Sequence, residues 1–291
     1  MRGLPSLPQA VWFHKLARMV YLLLFPLGLA VGAFGTLIGA GGGFILMPIL
    51  LLVYPGTEPA TLTAISLAVV CSNAASGSYT YARMKRVDFK SGLLFLVPGV
   101  PGAITGAYAI HMVPRDAFNV VFGAFLLIGG VFIFLRTFFV PKPRTRLRAT
   151  FQRTLIDAEG TRHVYAYDLA LGMVLGFAVG MASSMLGIGG GIIHVPAMVN
   201  LLDFPVHIAT ATSHFVLAVM TLTATAMHLL DGTLGREELP RVVAIAAGAV
   251  VGAQVGARLS QRIHGRWIMR SLALALALVG GRILIPALTQ T

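Results

Sequence analysis

Two runs of three consecutive glycines have the residue type and spacing that could carry ligand chemistry. Each run ends one apolar segment and opens a short one, and the second follows the first at an offset of 148 residues. A helix that begins at such a break has amides without partners and the positive end of its dipole beside them. Because glycine also lets a ligand approach the backbone closely, we expect an anion site at the breaks. The six residues are Gly41, Gly42, Gly43, Gly189, Gly190 and Gly191.

Close packing of small residues between helices is the alternative explanation for glycines in apolar segments. It suits the pairs spaced four residues apart, which are Gly28/Gly32, Gly102/Gly106 and Gly252/Gly256. It accounts less well for three glycines in a row, and this favours a ligand site.

Hydroxyl residues follow each glycine run within otherwise apolar segments. Thr63 and Ser66 follow the first run, and Thr210, Thr212 and Ser213 follow the second. These hydroxyls could donate hydrogen bonds to the oxygens of an anion. A helical Ser or Thr also commonly bonds the carbonyl four residues earlier in its own helix. Both interpretations stay open, with Ser66, Thr212 and Ser213 taken as candidate binding residues.

His194 and His214 lie in apolar surroundings in the second half of the chain only. Ionisable residues inside a membrane are functional candidates, and histidine can donate to a substrate or carry a coupling proton. The alternative is a neutral histidine bonded to a nearby carbonyl. His111 and His228 lie near segment ends and are expected at the membrane interface, while Asn73 is expected to bond a neighbouring helix.

Carboxylates are missing from the apolar segments around the glycine runs. Between residues 19 and 82 the one charged side chain is Glu58, in a turn-like PGTEP sequence. A cation pump would place an acidic side chain in the membrane, so a cation ligand or carboxylate relay is not expected. Cys71 is the single cysteine, which excludes an internal disulfide. We expect no catalytic residue, no cofactor and no metal site.

The composition indicates the kind of fold that holds these residues in place. Of the 291 residues, 57% are hydrophobic and only 11% are charged, against about a quarter in soluble domains. The net charge of +12 comes from Lys and Arg between apolar segments, as in membrane proteins, and does not favour nucleic-acid binding. The sequence therefore predicts an all-α polytopic membrane protein with about 8–10 spanning or half-spanning helices.

A repeat divides the chain into two halves. Positions 28–48 and 176–196 are identical at 10 of 21 places, and the sequence TAIS at 63–66 matches TATS at 210–213. Such halves can be parallel or inverted in the membrane. Inversion is favoured, because the loop 231–241 is acidic and looks external, while 258–270 is basic and looks internal. Five crossings in each half would make the second half inverted, whereas four crossings, with each short segment dipping in and returning, would make the halves parallel.

Four regions follow from the repeat and the polar stretches. They are an N-terminal basic segment at 1–18, a first membrane repeat at 19–139, a basic cytoplasmic linker at 140–166 and a second membrane repeat at 167–288. We expect the N-terminal segment to be retained, because no small-residue cleavage site precedes a polar sequence.

The two glycine motifs, GAGGGFILMP and GIGGGIIHVP, together with TAIS and TATS, resemble the signature repeats of the sulfite exporter TauE/SafE family of membrane permeases. This resemblance covers about residues 20–286 apart from the linker. It implies transport of a sulfur-containing anion such as sulfite, sulfoacetate or another organosulfonate. The implied site elements are the two glycine runs and the regions of Ser66 and Ser213. His194 departs from the family motif, where an apolar residue is expected.

The leading hypothesis is a secondary transporter of a small anion in the inner membrane, with no Walker A motif to bind a nucleotide. The alternatives are transport of another small anion or a metal ion, and an intramembrane hydrolase using Ser183 or Ser184 with a histidine. The expected partners are a small anion and the lipid bilayer, without nucleic acid. A coupling proton or ion and a homodimer stay open.

Overall fold

A computed structural model describes residues 7–138, 150–260 and 265–289. In these ranges the chain forms ten α-helices, one 3-10 helix and a β-hairpin. The helices of the first half are α1 Leu7–Ile38, α2 Gly43–Val53, α3 Pro59–Arg83, α4 Phe89–Ala109, a 3-10 helix Ile110–Met112 and α5 Arg115–Phe138. The strands are β1 Phe151–Ile156 and β2 Arg162–Tyr167. The helices of the second half are α6 Leu169–Leu186, α7 Gly191–Leu201, α8 Val206–Leu230, α9 Leu239–Leu259 and α10 Gly265–Thr289.

The helical membrane fold predicted from the sequence is confirmed. Within the described ranges, five helices are long and apolar enough to cross a bilayer, namely α3, α4, α6, α8 and α9. The two short apolar segments form α2 and α7, which have 11 residues each and are too short to cross. The chain is therefore a multi-pass membrane protein.

The glycine runs break the helices where the sequence predicts. Six glycines in the two breaks have positive φ, between 67° and 86°, a conformation that other residues rarely adopt. They are Gly39, Gly41, Gly42, Gly187, Gly189 and Gly190. Helix α1 therefore ends at Ile38 and α6 at Leu186, and a new helix begins within five residues.

The two halves are inverted, as the directions of equivalent helices show. Helices α3 and α8 are equivalent in the repeat, and they pack antiparallel. Cys71 approaches Ala218 near their midpoints, while Gly77 packs against His214 toward one end. Helix α1 runs parallel to α9, and α6 runs parallel to α4 in the same way. These contacts join Gly28 to Ile245, Gly32 to Ala249, Gly176 to Phe95 and Gly180 to Gly99.

Each half crosses the membrane three times, and not five or four times as expected from the sequence. Helix α2 returns toward the face from which α1 comes, since Tyr54 after α2 stacks with Arg241 at the start of α9. Helices α3, α4 and α5 then make three crossings, an odd number. The second half repeats this pattern from the opposite face. Each short helix thus dips in and returns, and the halves are still inverted.

The hairpin lies between the halves, inside the region 140–166 for which the sequence predicts a basic linker. Strands β1 and β2 pair antiparallel from Phe151 with Tyr167 to Ile156 with Arg162. Alternate residues of β1 are more and less exposed, the pattern of a strand with one packed face. Tyr165 and Tyr167 are buried against Phe204, so the hairpin packs on one end of the helix bundle.

We name the two ends of the bundle by their loops. The hairpin end contains the hairpin and the α3–α4 connection at 84–88, since Arg86 contacts Glu159 of the hairpin. The distal end contains the loops at 54–58, 110–114 and 231–238. Arg115 donates to the carbonyl of Thr57 there, and His111 contacts Asp231.

Candidate functional site

The two glycine breaks pack directly against each other, backbone to backbone. A Cβ atom built on Gly43 would lie 2.7 Å from the carbonyl of Ile188, and one on Gly191 would lie 2.2 Å from the carbonyl oxygen of Gly39. Real Cβ contacts are never that short, so these positions require glycine. The contact is reciprocal, because the first residue of each short helix touches the break that precedes the other.

The breaks meet near the middle of the bundle. Cβ atoms built on Gly41 and Gly189 would lie 2.9 Å and 2.5 Å from the same Val70 methyl group, and the one on Gly41 also meets Leu217. Val70 and Leu217 are equivalent residues halfway along α3 and α8. The repeat axis therefore passes close to the two breaks.

Several backbone amides at the breaks lack partners. Among the hydrogen bonds between described residues, none is donated by the amides of Gly43 and Phe44, or by those of Gly190 and Ile192. All four residues are buried. Buried amides are nearly always paired in folded proteins, so unpaired amides at two helix starts are typical of an anion site.

Ser66 and Ser213 each reach across to the break of the other half. Ser66 donates to the carbonyl oxygen of Gly187 at 2.6 Å, and Ser213 donates to that of Gly39 at 3.4 Å. The two bonds are equivalent in the repeat, although the second is longer than an ordinary hydroxyl hydrogen bond. Neither serine hydroxyl bonds a carbonyl of its own helix in this arrangement. Each instead ties one half to the break of the other.

A polar network surrounds the first break. Asn73 donates from Nδ2 to the carbonyl oxygen of Gly41 at 3.0 Å, and its Oδ1 accepts from Thr36 at 3.1 Å. His214 Nε2 lies 3.2 Å from the Thr36 hydroxyl, and Tyr81 donates to the Thr36 carbonyl. His214 thus contacts a side chain that is itself bonded near the break. Asn73 thus bonds the neighbouring helix α1 through Thr36, as the sequence predicts, and it also bonds the break itself.

Other buried polar side chains near the breaks have no hydrogen-bond partner among the described residues. They are Thr63, Ser183, Ser184, Thr210 and His194, the last with both ring nitrogens unpaired. All five are at most 3% exposed. A Cβ built on Gly187 would lie 3.2 Å from the Thr63 hydroxyl oxygen, and one on Gly190 would lie 3.0 Å from that of Ser183. Burying such groups unpaired is costly, which points to a ligand as their partner.

Thr212 lies in a different place from the other candidates. Its hydroxyl accepts a hydrogen bond at 3.0 Å from the amide of Asp88, just before α4 at the hairpin end. The structure thus brings the glycine runs and the serines together at the centre. His194 lies farther along α7, where its ring packs edge-on against Phe95 with centroids 5.9 Å apart.

Asp88 is a buried carboxylate that the sequence did not reveal, because it lies in a loop between apolar segments. It accepts hydrogen bonds from Arg153 at 2.7 Å and from Tyr165 at 2.7 Å, both on the hairpin, and from Ser91. Burial raises the pKa of this carboxyl, but the bonds from Arg153, Ser91 and Tyr165 outweigh burial and hold the pKa below its ordinary value. The hairpin is therefore fastened to the start of α4 by a charged, buried contact.

A serine–histidine pair, which a hydrolase would need, is not formed by the candidate serines in the described ranges. The hydroxyls of Ser183 and Ser184 have no hydrogen-bond partner, and His194 has none either. His214 contacts Thr36 instead. A nucleophilic serine requires a base within hydrogen-bond reach, so this geometry does not favour hydrolysis.

Two cavities are lined by residues other than the glycine runs, and the first reaches Ile192, the residue after Gly191. This cavity, of about 350 Å³, is lined by residues of α5, α6, α7 and α10 that are apolar apart from Asn200, and it includes Ile193 and Pro196. Another of about 370 Å³ lies at the distal end between the loops around Gly56 and Pro114. The glycine runs line neither of these two cavities.

Comparison with known proteins gives a consistent result. A family model described as Sulfite exporter TauE/SafE matches residues 24–283. The probable membrane transporter protein YunE of Bacillus subtilis is 33% identical over 220 residues, covering 74% of this chain and 80% of that protein. A probable membrane transporter protein of Methanocaldococcus jannaschii is 25% identical over 224 residues, covering 74% and 76%. With its inverted halves and paired glycine breaks, this chain belongs to the sulfite exporter TauE/SafE family of membrane transporters.

Proposed function

We propose that the chain is a secondary permease for a small sulfur-containing anion, sulfite or an organosulfonate, which binds between the two glycine breaks. The observation that carries the proposal is the meeting of two helix starts with unpaired amides, beside buried hydroxyls that also lack partners. The breaks contribute the positive ends of two helix dipoles, so an anion could be held without a basic side chain. The sulfur-containing class rests on the family to which the chain belongs.

The ligand groups differ between the two breaks. Ser183 lies beside the second break, and its counterpart in the first half is Gly35. His194 lies in α7, and its counterpart is Leu46. Ser66 and Ser213 already donate to glycine carbonyls, so their oxygens are left as acceptors in this arrangement. We therefore expect Ser183, Thr63 and His194 to supply the side-chain donors to the anion.

Binding requires the two breaks to move apart. The carbonyl of Ile188 lies so close to Gly43 that a substrate oxygen cannot fit between them. In inverted-repeat transporters, one bundle rocks against the other around a site at the midplane. Separation of the breaks by such a motion would open the site and free the amides at the same time.

The hairpin end is assigned to the cytoplasm. The described loops, strands and helix ends there carry Arg83, Lys85, Arg86, Lys90, Arg153, Arg162 and Arg258. The loops of the distal end carry Arg115, Arg236 and Arg241, with more acidic residues than basic ones. Basic residues concentrate in cytoplasmic loops, so this orientation also makes the region 140–166 a cytoplasmic linker.

The test replaces candidate donors with their counterparts from the other half. Wild-type protein in proteoliposomes should exchange labelled sulfite or a labelled sulfonate, and His194→Leu and Ser183→Gly should each reduce the flux at least tenfold. His194→Leu should keep or raise the melting temperature because it removes an unpaired buried polar group, while Ser183→Gly should change it little because the poor helix propensity of glycine offsets that gain. Ser72→Ala is the matched control, since Ser72 bonds the carbonyl of Ala68 in its own helix.

Unchanged flux in both variants would remove these residues from the site. If the wild-type protein transports other small anions but neither sulfite nor a sulfonate, the substrate class would be wrong. The proposed anion site would then still stand.

A further inference from the structure

Two histidines and an aspartate meet at the distal end, far from the glycine breaks. His111 lies in the 3-10 helix after α4, His228 in the last turn of α8, and Asp231 directly after α8. His111 Nε2 is 3.2 Å and His228 Nδ1 is 3.7 Å from the same carboxylate oxygen of Asp231. One ligand atom from each residue lies within 4.8 Å of the other two.

The aspartate is held in the orientation that a ligand needs. Its other oxygen, Oδ1, accepts from the amide of Thr233 at 2.9 Å. The Asp231 amide donates to Met227, and the carbonyl of His228 accepts from the amide of Leu234. Oδ2 therefore points at both imidazoles. Hydrogen bonds that fix the orientation of a ligating carboxylate are typical of metal sites.

A histidine–aspartate pair at the surface explains only part of this cluster. His111 and Asp231 have side chains that are 38% and 27% exposed, and their contact is an ordinary surface pair. The side chain of His228 is fully buried, and neither of its nitrogens has a hydrogen-bond partner among the described residues. Its counterpart in the first half is Tyr81, which is buried but hydrogen-bonded. The imidazole of His228 thus lacks a hydrogen bond at a position where its counterpart in the other half forms one.

We propose that His111, His228 and Asp231 form a binding site for a divalent transition metal ion of the zinc class. Two imidazoles and one carboxylate are a common set of three protein ligands for zinc, with water as the fourth. Bonds of about 2.0–2.2 Å in a tetrahedron separate ligand atoms by about 3.4 Å, close to the two distances to Asp231 Oδ2. The exposed edges of His111 and Asp231 leave a route for the ion from solvent.

The metal would join the two halves of the transporter. His111 belongs to the first half, and His228 and Asp231 belong to the second. An ion bound by all three would hold the end of α4 to the end of α8 at the distal face. The proposal does not depend on the substrate, since these residues lie apart from the glycine breaks.

The test uses the full-length protein without a polyhistidine tag, in lipid nanodiscs. Titration with Zn²⁺ against a chromophoric chelator should show one high-affinity ion for each chain. His111→Ala and Asp231→Asn should weaken binding at least tenfold. Both residues are partly exposed, so these variants should fold even if His228→Ala does not. Cu²⁺ in the same site should show coupling to two imidazole nitrogens by electron paramagnetic resonance.

His163→Ala is the matched control. His163 Nε2 lies 3.1 Å from Asp157 at the hairpin end, and this histidine–aspartate pair belongs to no three-residue ligand group among the residues that the structure describes. This variant should keep the zinc affinity of the wild type. Zinc should also raise the melting temperature of wild type and His163→Ala, but not that of Asp231→Asn. Equal affinity in wild type, His111→Ala and Asp231→Asn would overturn the proposal, and so would the absence of zinc binding by the wild type.

Discussion

The hydroxyl of Ser66 in the first half donates a hydrogen bond of 2.6 Å to the carbonyl oxygen of Gly187 in the second. Its counterpart joins Ser213 to Gly39 at 3.4 Å. The inverted repeat thus places each serine on the glycine break of the other half. The bond at Gly39 is the longer and therefore the weaker of the two.

Removal of the Ser66 hydroxyl is expected to destabilise the protein more than removal of the Ser213 hydroxyl. Ser66→Ala leaves the buried Gly187 carbonyl without its donor, and an unsatisfied buried acceptor costs about 1–3 kcal/mol. Ser213→Ala removes a longer and weaker bond. The melting temperatures of both variants in detergent should rank in that order, and equal losses would contradict the difference between the two bonds.

A methyl group at the first residue of α2 is expected to disrupt the centre of the protein. Gly43→Ala places a Cβ 2.7 Å from the Ile188 carbonyl, and overpacking of a core typically costs about 1–3 kcal/mol or more. Gly281→Ala is the control, because no atom lies within 4 Å of a Cβ there and alanine favours a helix. Size-exclusion profiles and melting curves should show a defect in the first variant only.

The hairpin should detach from the bundle in acid. The pKa of Asp88 is below its ordinary value of 3.8 in the folded state, mainly because Arg153 donates to it against the effect of burial. The pKa of Asp157 is also lowered, since bonds from His163 and two backbone amides outweigh burial. The stabilisation is therefore complete above pH 3.8 and is lost as the pH falls through the lowered values.

A spin label on Arg162→Cys, in a Cys71→Ala background, would measure this release. The label should stay immobile at neutral pH and gain mobility only below pH 3.8. Adding Arg153→Ala should raise the pKa of Asp88 and shift the release to higher pH. A release that Arg153→Ala does not shift would show that Asp88 is not the group that fastens the hairpin.

Inversion and orientation can be tested with single cysteines. In a Cys71→Ala background, Glu159→Cys in the hairpin and Glu237→Cys in the loop before α9 are both exposed. A membrane-impermeant maleimide should label Glu237→Cys in intact cells and Glu159→Cys only after the membrane is opened. Labelling of both from the same side would contradict the opposite positions of the two loops.

The repeat and the broken helices could be predicted from the sequence because glycine and apolar runs act locally. Loop charges favour the inverted arrangement, which is correct. The sequence does not predict that each half crosses the membrane three times. Nothing local shows that α2 turns back, since its direction is set by contacts of Tyr54 and Gly43 with distant helices.

The hairpin and the distal cluster could not be predicted, for related reasons. The strands at 151–167 are short and lie in a basic stretch, and their aromatic face is buried by Phe204 from a distant part of the chain. His111 is more than a hundred positions from His228 and Asp231 in the sequence. Only the antiparallel return of the second half brings these residues to one face.

The reciprocal glycine contact has a consequence for a chain that contained only one half. Its helix break would lack the carbonyls of Gly39 or Gly187 that the other half supplies. Two identical copies could complete the contact only if one entered the bilayer upside down relative to the other. A single-half precursor of this architecture would therefore have to insert in both orientations, and fusion through the central linker would remove that requirement.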